Sequence, residues 1–124
     1  MKYDLEQRLI RFAVSIVKTI ESLPQDRSCN HLAGQLVRSG TAPALLYGEA
    51  QSAESRKDFI HKMRIGLKEL RETSVCLKII SEAGYSGTTG SYEKVINENV
   101  ELISIFHKSI LTATKNLTET DGRM

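Results

Sequence analysis

The chain has few residues equipped for bond-making chemistry. Among three histidines, two cysteines and fifteen acidic side chains, only Asp58 and His61 stand at a metal-ligating interval. A di-metal carboxylate bundle needs inward carboxylates from two helices and a Glu-x-x-His pair from each of the other two. One Asp-x-x-His falls short of that set, His61 points off the apolar seam described below, and His31 and His107 lack the spacing. Cys29 and Cys76 are far apart with no metal-type interval, and read as small apolar packers rather than a bridge. GYSGTTG carries three glycines, but it lacks the lysine and the preceding strand of a phosphate loop, and no nucleophile elbow occurs. These absences predict a non-enzymatic protein with no metal and no cofactor.

The sharper pattern is cationic. Lys57, Arg64, Arg71 and Lys78 recur every seven residues, and Lys68 falls on the same line. On a regular helix all five fit an arc of about 80°, spread over about 30 Å and roughly 100° from the core seam. Such a row could track a phosphate backbone. It could equally be a solvated flank, with Lys68 and Glu72 paired at i,i+4 and Glu54 and Glu82 diluting its ends. Arg8, Arg11 and Lys18 form a second, shorter stripe, and the case strengthens if both stripes face one groove. The net charge of +2 neither demands nor excludes a polyanionic partner.

The elements that must position these residues are helices. A chain of 124 residues is one domain by size. Helix one is predicted over about 4–22, with Leu5, Leu9, Phe12, Ile16 and Ile20 on one stripe, ending before Leu23-Pro24. Helix two, about 26–53, opens at Asp26 to Ser28 and carries Leu32, Leu36, Ser39, Pro43, Leu46 and Ala50. Pro43 removes an N–H inside it and predicts a kink near 38–43. Gly34, Gly40, Ala44 and Gly48 would admit a close neighbour. Helix three, about 55–83, is capped by Ser55, runs its seam through Phe59, Met63, Leu67, Leu70, Ser74 and Leu77, and stops at Ala83-Gly84. Helix four, about 91–117, is capped by Ser91 and carries Tyr92, Val95, Ile96, Asn99, Leu102, Ile103, Phe106, Ile110, Ala113 and Leu117. The tail TETDGRM is expected to fray. Four amphipathic segments on short loops imply an all-α, antiparallel up-down-up-down four-helix bundle.

Two apolar rows exceed one bundle's need: Ile10, Val14 and Val17 on helix one, and Val100, His107 and Leu111 on helix four. They are candidate self-association surfaces, since small monomers seldom expose large apolar patches. Asn99, the lone polar residue on its stripe, is expected to fix register through a buried hydrogen bond. Arg38, beside the kink, is expected to pair with Glu49, Glu69 or Glu72. No apolar run could span a bilayer, and the charged start MKYDLEQRLIRF has no signal core, so a cytoplasmic protein is expected.

The stretch from helix two into helix three resembles the four-helix-bundle proteins named after open reading frames in 23S rRNA intervening sequences. The residues that carry the resemblance are Gln35-Leu36-Val37-Arg38-Ser39-Gly40-Thr41, Tyr47-Gly48-Glu49-Ala50-Gln51, Ser55, Asp58-Phe59, Lys62, Leu67-Lys68-Glu69 and Glu72-Thr73. Ala42 and Leu46 depart from the family's usual serine and asparagine, and no tryptophan stands near Cys76. The resemblance implies a left-handed bundle assembled as a homopentamer in bacterial cytoplasm, non-enzymatic and of unknown role. It also implies kinship with the basic accessory protein of diversity-generating retroelements, which binds nucleic acid and a reverse transcriptase. Five copies of a +2 chain would carry +10.

Overall fold

The computed structural model describes residues 4–85 and 90–122, with side chains to residue 117. Residues 86–89 of the GYSGTTG stretch and the last two residues of the tail, 123–124, therefore lie outside the described residues. Among the described residues four helices occur: α1 (Leu5–Glu21), α2 (Arg27–Gln51), α3 (Arg56–Glu82) and α4 (Gly90–Gly122). Asp4, Asp26 and Ser55 cap the first three, each side chain accepting from the backbone N–H three residues on. Of the candidates Asp26 to Ser28, Asp26 is thus the cap of α2. The end of α3 is a Schellman turn: Gly84 adopts φ 81°, and its N–H and that of Tyr85 reach back to the carbonyls of Ser81 and Ile80. Two expectations for α4 fail. Ser91 lies inside the helix, which begins at Gly90, and TETDG continues it to Gly122.

Among the described residues, adjacent helices in the chain are adjacent in space and α1 closes on α4. Helices α1 and α3 stand on one diagonal and α2 and α4 on the other, the latter bridged in the core by the rings of Tyr47 and Phe106, 6.4 Å apart. Across α2 and α3 the paired residues run in opposite directions, from Glu49 with Lys62 through Ser39 with Thr73 to Leu32 with Cys76. Across α3 and α4 they do the same, with Tyr92 on Leu77 and Asn99 on Leu70. Both pairs are therefore antiparallel.

The core holds the expected stripes of α1 and α4, with Phe12, Ile16, Leu102 and Phe106 almost wholly buried. Burying each such side chain contributes roughly 1.5–3 kcal/mol before entropy is counted. On α3 the predicted seam is too narrow. Phe59, Leu67 and Ser74 are half-exposed, whereas Ile60, Gly66, Thr73, Cys76 and Ile80 join Met63, Leu70 and Leu77 inside. A helix gripped by neighbours on two sides needs this wider stripe.

Pro43 is buried within α2, which is helical from Arg27 to Gln51. Of the small residues there, Gly40 has the predicted role: a Cβ on it would stand 2.7 Å from Ile16 Cγ1. Gly34 and Gly48 do not, since nothing lies within 4 Å of either position.

Candidate nucleic-acid interface

The five cations of α3 are all exposed, and none is in an ion pair among the described residues. Glu54 and Glu82 stand exposed near the ends of the row and in no described ion pair, but the carboxylates along its middle are held elsewhere. Glu72, the expected partner of Lys68, accepts instead from Arg38, and Glu69 lies 2.8 Å from the same guanidinium. Arg38 is thereby raised above its usual pKa, chiefly by the hydrogen bond to Glu72 and then by the charge of Glu69. Glu49 is not its third partner; Glu49 sits 2.8 Å from Lys62, whose pKa is raised by that contact. Arg38 and Lys62 thus tie α2 to α3 without engaging the basic row, although Arg71 of that row lines the same α2–α3 groove as Glu72.

That row is not purely cationic. Val75 (57% exposed) lies one turn beyond Arg71, and Ile79 (47%) directly follows Lys78. With His31 and Gln35 of α2, the groove beside them encloses about 500 Å³. These two aliphatic residues were missed in the sequence because they look like part of a core stripe; their offset from Leu70 and Leu77 was the available signal.

The second basic stripe does not join the first, because α1 and α3 sit diagonally in the bundle. Arg8 is drawn into ion pairs with Glu98 at 2.5 Å and Glu101 at 2.7 Å, so it is a tether between α1 and α4 rather than an available cation. Arg11 and Lys18 are exposed and line a cleft between those helices.

The apolar rows are exposed as expected: Ile10, Val14 and Val17 on α1, and Val100 and Leu111 on α4, with His107 beside them. The α1 row continues onto α2 through Leu45, 69% exposed, with which it lines one shallow groove. Val37 of α2 is exposed as well. Neither α2 residue was singled out in the sequence, although both lie off the seam of Leu36 and Pro43.

The remaining candidates are structural. Cys29 and Cys76 are free and buried, and burial pushes both thiols up, which leaves them poor nucleophiles. His61 is exposed, and no group of three or more metal-type ligands forms among the described residues. Asn99 is buried, and its Nδ2 donates to Leu70 O at 3.1 Å across α3 and α4. Tyr92 donates to Leu77 O, and its phenol is pushed up to about 12, mainly by burial.

The fold is that of a four-helix bundle with tethered helices, a basic outer row and exposed apolar rows. Residues 1–108 match the 23S rRNA-intervening sequence protein family, and the chain belongs to that family. It is also similar to a crystal structure of a protein of unknown function from the S23 ribosomal protein family of Bacteroides thetaiotaomicron. The two are 32% identical with a TM-score of 0.79, over 86% of this chain and 98% of that one. No curated protein matches the chain. Among the described residues, no helix is long and apolar enough to cross a membrane.

Proposed function

We propose that this protein is a non-enzymatic scaffold that self-associates through its exposed apolar rows, as a ring of five, and holds RNA or DNA on the outer face of α3. The observation that carries the reading is the row Lys57, Arg64, Lys68, Arg71 and Lys78, exposed and outside every described ion pair, beside carboxylates already committed to Arg38 and Lys62. A folded protein gains little from aligning five unpaired cations, whereas a phosphate backbone would release counterions on meeting them. Repetition around a ring multiplies weak single contacts.

The test is fluorescence anisotropy with a labelled RNA hairpin and a DNA duplex, comparing the native chain with Lys57→Ala/Arg64→Ala/Arg71→Ala. These exposed positions lie outside the core, so the fold is preserved. The variant should bind more than tenfold more weakly, and equal affinity would overturn the assignment. Light scattering reads the assembly: Val14→Ser/Val17→Ser should lower the mass. A second reading, favoured by the apolar surface of Ile10, Val14, Val17 and Leu45, is an adaptor that docks a protein without nucleic acid. The kinship with the retroelement accessory protein makes a reverse transcriptase one such partner.

A further inference from the structure

The fourth side of the bundle is built differently from the other three. Where a bundle seam ordinarily carries apolar side chains, the flank of α1 that faces α4 presents Ser15, Thr19 and Ser22, and α4 opposes them with Ser91 and Lys94. The two helices touch far less than any other adjacent pair. The result is a cleft of about 750 Å³ along much of α1, in the size range of small-molecule sites. Its rear wall is apolar, formed by Phe12, Tyr92 and Val95, all buried.

The charge of this cleft is strongly one-sided. Four cations line it against a single carboxylate, Glu98, and that carboxylate is clasped by Arg8 through two hydrogen bonds of 2.5 and 2.7 Å. Arg11, Lys18 and Lys94 remain exposed on its rim and outside every described ion pair. The hydroxyls have a fixed polarity too. Ser15 donates to Phe12 O at 2.7 Å, Thr19 to Ser15 O at 2.8 Å and Ser22 to Thr19 O at 2.7 Å. Their protons are directed into the helix, so their lone pairs are what they offer a ligand. The cleft therefore combines cationic donors for an anion, hydroxyl acceptors for N–H or O–H groups, and an apolar wall.

We infer that this cleft binds a nucleoside phosphate, with phosphates on Arg11, Lys18 and Lys94, sugar or base donors on the Ser15–Thr19 hydroxyls, and the base toward Phe12 and Val95. The inference does not rest on the α3 face, which lies across the bundle. The nucleoside phosphate could be a free nucleotide or a unit of a strand, and the two sources share this chemistry.

Calorimetry with ATP, and separately with a single-stranded oligothymidylate, tests the site on the full-length chain. At least one ligand should bind the native protein saturably, and the one that binds identifies the source. Arg11→Ala/Lys18→Ala should weaken that binding at least tenfold. Ser15→Leu/Thr19→Leu, which fills the cleft with apolar bulk, should abolish it while circular dichroism shows native helix content. Lys57→Ala/Arg64→Ala/Arg71→Ala should leave ATP binding unchanged, which separates this site from the α3 face. Absence of binding by both ligands, or native affinity in both cleft variants, would overturn the inference.

Discussion

Gly66→Ala should destabilise the bundle, although alanine is the better helix former. Gly66 is buried in the middle of α3, and a Cβ placed on it would stand 2.6 Å from Phe106 Cε2 and 3.3 Å from Cδ2. The Phe106 ring has little room to yield, being fully buried and tilted at 50° against Tyr47 with centroids 6.4 Å apart. Replacing glycine by alanine in a helix contributes about 1 kcal/mol through propensity. Overpacking a tight core costs roughly 1–3 kcal/mol, so the net effect is a loss of about 1 kcal/mol, or roughly 4 °C in midpoint for a domain of this size. Gly34→Ala is the control. It lies exposed in α2 with nothing within 4 Å of its would-be Cβ, and should stabilise by about 0.5–1 kcal/mol. Urea and thermal denaturation at one fixed protein concentration, with a cycle adding Phe106→Leu, would measure both. The reasoning fails if Gly66→Ala matches or exceeds native stability, or if Phe106→Leu does not relieve its cost.

Asn99 has one buried bond and one orphan: its Oδ1 finds no partner among the described residues. Asn99→Leu should leave stability equal or higher while Asn99→Asp lowers it, and a large loss for the leucine variant in chemical denaturation would contradict this. Arg38→Met should lower the thermal midpoint slightly, and adding Glu72→Gln should lower it little further, since the two share one contact; an unchanged midpoint for Arg38→Met would show that the α2–α3 tether does not matter. The phenol of Tyr92, ordinarily near 10, is pushed up to about 12 in the fold. The unfolded chain therefore loses that proton first, and the contribution of Tyr92 is complete below pH 10 and lost as pH rises toward about 12. Stability measured across that range should fall less steeply in Tyr92→Phe, and identical slopes would refute the assignment.

The helices were legible because 3.6-residue periodicity is a local property. The stripes from Leu5 to Ile16 and from Tyr92 to Ala113 name the buried faces of α1 and α4 without reference to partners. What the sequence hid depends on azimuth and neighbours. Gly34 and Gly66 look alike in a string of letters, yet only Gly66 has an aromatic ring where its Cβ would be. Arg38 had three carboxylates within reach of reasoning, and the rotation of α3 gave it Glu69 and Glu72 while Glu49 met Lys62. The same rotation freed Lys68 from Glu72. At the end of α4 the polar stretch TETDG carries no apolar rhythm, so its helical geometry left no mark in the pattern. Nothing in the sequence marks Ser15 and Thr19 out, and only the packing of α1 beside α4 shows that they line a cleft.

The α3 face as a phosphate contact is tested most directly by the salt dependence of nucleic-acid affinity. If all five cations of the row engage phosphates of a DNA duplex, the logarithm of the association constant should fall with that of salt at a slope of about −4.5 per protomer engaged. Binding should be firm at about 50 mM salt, a condition that favours such contacts. No measurable binding there, or an affinity indifferent to salt, would contradict the account.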